Sequence, residues 1–178
     1  MSRPIRLPLS AGLAAAMLAM LSACGGGDDA PSSSSNGGNL TISAAAPAAH
    51  NTTVDLNTAV NKGNSARAAD GFSAQAYCEV FWETANGANG KKYALQVYFR
   101  SGDKLPLHVS LLDATNGAPS WVAFQNNSGN PIAGISVDTT ARTLTFNAKA
   151  ITGPNGETAT LGGTVGFQSN SGTPACGA

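Results

Sequence analysis

Two histidines, His50 and His108, are the only side chains in the 178 residues whose unperturbed pKa lies near neutrality. His108 stands between Leu107 and Val109 in a strand-like stretch, where a histidine ordinarily faces water. Catalysis there would need Asp113 or a serine hydroxyl within about 3 Å of the imidazole. No Gly-x-Ser-x-Gly elbow, His-Glu-x-x-His, phosphate-binding glycine loop or dinucleotide fingerprint accompanies it. Glu79 and Glu83 share one face of a strand about 13 Å apart, at about 3.3 Å per residue. That is wider than a glycosidase pair, and they read as a solvated face. Asp113-Ala114-Thr115-Asn116-Gly117 lacks the alternating acids and distal glutamate of a calcium loop and reads as an Asx-type turn. A tetrahedral zinc site needs about four clustered ligands, and a chain with two histidines shows no such cluster in its sequence. No catalytic residue, metal site or cofactor is assigned.

The better chemical signal is aromatic. Tyr77 to Thr84 and Tyr93 to Arg100 have the two-residue period of half-buried strands, and Ala85 to Lys91 between them carries two Asn-Gly pairs, a hairpin signature. Tyr93, Leu95, Val97 and Phe99 share the core face. Tyr98 and Arg100 therefore point outward, and Phe81 lies on the side of Glu79 and Glu83. Phe81, Tyr98 and Arg100 form the candidate ligand contact, since exposed aromatics flanked by polar groups are enriched in recognition sites. The competing reading is a stabilising cross-strand pair, or rings covered by the preceding segment. Trp82 and Trp121 read as core.

Strands are expected at Leu107 to Leu112, Trp121 to Gln125, Ile132 to Val137, Arg142 to Ala148 and Thr158 to Gln168. The breaks between them, such as Asn116-Gly117-Ala118-Pro119, Ser128-Gly129-Asn130-Pro131 and Gly153-Pro154-Asn155-Gly156, are turn chemistry. No stretch sustains a helical period. Residues 72–178 are thus expected to form an all-β domain, an antiparallel β-sandwich or small β-barrel, because the connections are too short for parallel crossovers.

The amino terminus reads as an export signal: Arg3 and Arg6, then an apolar run from Leu7 to Met20, then small residues before a cysteine. The run is too short for a stable membrane span. Leu21-Ser22-Ala23-Cys24 resembles the lipobox of bacterial lipoproteins, a likeness confined to the first two dozen residues. It implies a signal peptide over 1–23, cleavage before Cys24, diacylglycerol on its sulfur and a further acyl chain, such as palmitate, on the new amino terminus. Several chains anchor firmly where one is marginal. Gly25 is not the aspartate linked in that family to inner-membrane retention, so the outer membrane is expected.

With Cys24 lipidated, Cys78 and Cys176 remain as an even pair in an oxidising compartment, and a disulfide between them is expected. Loss of Arg3 and Arg6 leaves eight basic and ten acidic residues, a net charge of −2 that offers no nucleic-acid footprint. Residues 24–71 read as a low-complexity tether with room for one strand: Gly25 to Gly38 is almost wholly Gly, Ser and Asp, and Leu40-Thr41-Ile42 and Thr53-Val54-Asp55-Leu56 are strand-like fragments in an Ala, Asn and Ser background. His50 falls in that tether. The expected product is a lipid-anchored, non-catalytic envelope module that binds a glycan or protein or serves a structural role. One alternative is an accessory inhibitor similar to periplasmic lysozyme inhibitors, which share the small disulfide-bonded barrel architecture, although their inhibitory loop is not found here. A hydrolytic enzyme is the other.

Overall fold

A computed structural model describes residues 36–124, 132–170 and 176. The lipobox, the Gly25 to Ser35 stretch and the Ser128 to Pro131 turn lie outside the described residues. Ten strands appear: β1 (Asn39–Ala46), β2 (Thr52–Asp55), β3 (Asn61–Arg67), β4 (Tyr77–Gly87), β5 (Lys92–Arg100), β6 (Pro106–Asp113), β7 (Ser120–Phe124), β8 (Ile135–Asp138), β9 (Thr143–Thr152) and β10 (Thr158–Gly166). Two three-residue 3-10 turns, Ala48–His50 and Leu56–Thr58, are the only helical pieces among the described residues.

The sheet closes on itself. Its order runs β1-β2-β4-β5-β6-β7-β9-β10, and β10 pairs with both β9 (Thr158↔Thr152) and β1 (Thr41↔Gly162), every pairing antiparallel. The fold is therefore an eight-stranded barrel with β3 and β8 added. Closure removes the edges that an open sheet would expose. Two long strands each serve two neighbours along one edge: β4 pairs with β3 over Tyr77 to Glu83 and with β2 at Asn86 and Gly87. On the other side, β9 pairs with β8 over Thr143 to Phe146 and touches β7 at Thr152.

Alternation fills the barrel. Tyr93, Leu95, Val97 and Phe99 of β5, Val80 and Trp82 of β4, Val109 and Leu111 of β6 and Trp121 of β7 point inward and are all buried. An eight-stranded barrel has an interior about wide enough for such side chains. Phe167 reaches Phe99 from the end of β10, with ring centroids 5.8 Å apart.

The segment from 39 to 71 corrects the expected tether. It supplies β1, β2 and β3, and Leu40, Ile42, Val54 and Leu56 are at most 1% exposed. The fragments Leu40 to Ile42 and Thr53 to Leu56 mark β1 and β2, whereas β3 has no apolar alternation of its own and is completed by its partner strand. The disulfide between Cys78 and Cys176 is formed, with Cα atoms 5.6 Å apart and both residues fully buried. Around it the carboxyl-terminal segment lies against β3: Asn64 Nδ2 donates to the carbonyl of Gln168 at 2.8 Å, and also to that of Cys176, while Asn170 Nδ2 donates to the Asn64 carbonyl at 2.9 Å.

Candidate functional site

The outer wall of β3, β4, β5 and β6 carries a groove of about 250 Å³. Registry builds it: Gly63, Phe81, Gln96 and Ser110 lie opposite one another across the four strands, and Ala94 pairs with Leu112 beside them. The Phe81 ring tips towards β3 over Gly63, where a Cβ would sit 2.4 Å from its Cε1 and Cζ atoms. A side chain at position 63 would push that ring away. With Phe81 laid aside, the small side chains of Ala94 and Ser110 leave a depression, flanked by Leu112, Gln96, Glu79 and Glu83.

The two carboxylates differ. Glu79 is held by a fork from Arg67, whose Nε and Nη2 lie 2.7 and 2.5 Å from Oε2, and by Gln96 Nε2 at 2.6 Å from Oε1. Such charge-assisted contacts fix orientation and offset the charge. Glu83 is exposed, and its carboxylate accepts a side-chain hydrogen bond of 3.2 Å from Asn61 Nδ2. The groove is thus an apolar depression with a pinned carboxylate, an amide, a hydroxyl and one exposed negative charge.

Of the three residues singled out from sequence, only Phe81 lines the groove. Tyr98 faces outward, as its alternation dictates, but it lies in an aromatic cluster with Phe72 (5.2 Å between ring centroids), Tyr77 (5.5 Å) and His108 (4.9 Å). Phe72 arrives from the connection between β3 and β4, where Asp70 Oδ1 accepts from the amides of Phe72 and Ser73 while Oδ2 accepts from the Tyr77 hydroxyl at 2.9 Å. Those three hydrogen bonds hold the Asp70 carboxyl below its usual range, and burial followed by Asp70 pushes the Tyr77 phenol up to about 12. Arg100 Nη1 lies 3.0 Å from Asp103 Oδ2 in the following turn, and its side chain is 12% exposed.

His108 and Asp113 lie on opposite faces of β6. The first packs outward on Tyr98, and burial lowers its pKa. The second is fully buried and receives Lys91 Nζ at 3.3 Å, with the Thr115 amide 2.9 Å from Oδ1 as expected for an Asx turn. Asp113, which a catalytic His108 would have needed beside it, lies near His50, whose Nδ1 is 4.0 Å from Asp113 Oδ2. His50 was missed because its neighbours read as tether. Among the described residues no three of His, Cys, Asp and Glu gather to hold a metal ion.

Comparison of the chain with protein-family models, with curated proteins and with solved structures finds no match.

Proposed function

We propose that this chain is a bacterial envelope lipoprotein, anchored through acylated Cys24 in the outer membrane, whose barrel is a non-catalytic module that binds an envelope glycan in the groove beside Phe81. The observation that carries the reading is the groove's composition. A half-buried ring stacks on the apolar face of a sugar, while Gln96, Ser110 and Glu83 offer an amide, a hydroxyl and a carboxylate to its hydroxyl groups. At about 250 Å³ it is smaller than the pockets of drug-sized ligands and suits one sugar ring. Its exposed charge is Glu83, so neutral and amino sugars are favoured over acidic ones. The anchor rests on the order of residues in Leu21-Ser22-Ala23-Cys24.

The test is affinity capture of the lipidated protein from its native envelope, scored for co-purifying glycan. The native protein retains glycan, and Phe81→Ala and Glu83→Gln each reduce it at least tenfold with folding intact. Equal recovery with both variants rules out the groove as the binding site. The lysozyme-inhibitor reading gains from the closed, disulfide-bonded barrel; undiminished lysozyme activity at micromolar protein discards it. Cys24→Ala separates address from binding, because it abolishes acylation and membrane pelleting while the groove is untouched.

A further inference from the structure

One end of the barrel is closed by polar side chains that the groove does not involve. The 3-10 turn Ala48–His50 places His50 there, 4% exposed, with its ring 5.0 Å from that of Trp121 and edge-on to it. Its Nδ1 lies 3.1 Å from the Tyr93 hydroxyl and 4.0 Å from Asp113 Oδ2. The Tyr93 oxygen also accepts from Asn89 Nδ2 at 2.9 Å. Asp113 Oδ2 receives Lys91 Nζ at 3.3 Å and Asn116 Nδ2 at 3.4 Å. The titratable groups facing His50 are thus Tyr93 from β5, Asp113 from β6 and Lys91 from the turn after β4.

The hydrogens of this group are constrained. A phenol has one proton to give, and with Asn89 donating to its oxygen, the Tyr93 proton is directed at His50 Nδ1. The neutral ring then keeps its own proton on Nε2. A proton arriving on Nδ1 would set two donors face to face. Asp113 Oδ2 is the nearby acceptor with negative charge, and the cation it holds, Lys91, has a side chain 26% exposed that is able to return to water.

We propose that His50 and Lys91 exchange Asp113 as a proton-operated latch at the barrel mouth. In the neutral state Tyr93 donates to His50, and Lys91 is paired with Asp113. On protonation one proton moves from solvent to Nδ1, which turns its donor to Asp113 Oδ2, and the Lys91 ammonium is released to water. One O–H bond of a solvent hydronium breaks as the N–H bond forms, leaving water, and no other covalent bond changes. The 3-10 turn is then tied by charge to β6, and the β4–β5 turn loses its anchor. Burial and the nearby Lys91 charge hold the His50 pKa below its ordinary value, against the opposing pull of Asp113.

The experiment is an NMR titration of the full lipidated chain in detergent from pH 8 to pH 4.5, following the His50 ring and the Lys91 side chain, with His108→Gln to assign the imidazole signals. The His50 midpoint should lie below about 6.5, with the Lys91 signal moving at the same midpoint. Lys91→Met, at a partly exposed side chain, should raise that midpoint by about one unit, a tenfold gain in proton affinity. Tyr93→Phe should also raise it, since the neutral ring loses its donor, and Asp113→Asn should lower it. A His50 that feels Lys91 only through its charge would also answer to Lys91→Met, but the Lys91 side chain would stay with Asp113 at every pH; a Lys91 signal indifferent to pH, or an unchanged midpoint in Lys91→Met, overturns the latch.

Discussion

Glu79 and Glu83 have the same side chain on the same strand face, yet their surroundings give them different work. Arg67 and Gln96 hold Glu79 in place, whereas Glu83 stands exposed at the groove. Gly63 has a comparable effect by lacking a side chain. Gly63→Ala would place a methyl group 2.4 Å from the Phe81 ring. Because the ring is the far end of a movable side chain, we expect its displacement to reduce ligand retention several-fold while unfolding stability falls by about 1 kcal/mol, the low end for an added methyl group; binding and denaturant melts on the same sample separate the two effects. The histidines give a second prediction. Burial lowers the folded-state pKa of both His50 and His108, so between those values and about 6.5 the unfolded chain binds more protons than the folded one. Their contribution is complete above about pH 6.5 and is lost as pH falls below it. Denaturant unfolding at steps from pH 7.5 to pH 5 should show stability declining over that window, and a flat profile would contradict the assigned burial. None of these roles for Gly63 or His50 was legible in sequence, since each depends on which residue lies opposite across the barrel.

At the level of elements, the hairpin of β4 and β5 was legible almost to its ends, because alternation and the Asn-Gly pairs are local signals. β1 and β2 were legible only as the fragments Leu40 to Ile42 and Thr53 to Leu56, and β3 was not legible, because its strand character is borrowed. Asn61 to Arg67 contains Lys, Gly, Asn, Ser and Arg and has little β-propensity, yet it pairs residue for residue with Tyr77 to Glu83. The same non-local pairing changed the meaning of Tyr98. Alternation correctly set it outward, but Phe72 from the β3–β4 connection packs edge-on against it. Tyr98→Ala is accordingly expected to cost about 1–3 kcal/mol of stability through lost ring contacts. Glycan retention by the fraction that remains folded should be unchanged. A variant with native stability but lost binding would return Tyr98 to the contact surface.

For the whole molecule, the disulfide is the link between chain end and barrel. Cys78 belongs to β4, and Cys176 lies beyond the last strand, with 98 positions between them. The chain-entropy model assigns such a closure about 4–5 kcal/mol. Cys78→Ala with Cys176→Ala should therefore lower the unfolding midpoint markedly, read by thermal or denaturant melts, and a midpoint within experimental error of the native protein would show that the Asn64 contacts suffice without the bond. Sequence parity made this pair legible once Cys24 was given to lipid; barrel closure was not legible, because strand order leaves no mark on a single sequence. What the closed barrel presents outward is a wall of four strands with Phe81 in its groove. The proposed glycan binding there is best examined by chemical-shift mapping of the isotopically labelled, detergent-solubilised protein titrated with bacterial envelope oligosaccharides. Saturable shifts centred on Phe81, Glu83, Gln96 and Ser110, abolished by Phe81→Ala, are expected; shifts centred elsewhere, or the same shifts in that variant, would contradict a glycan site in the groove.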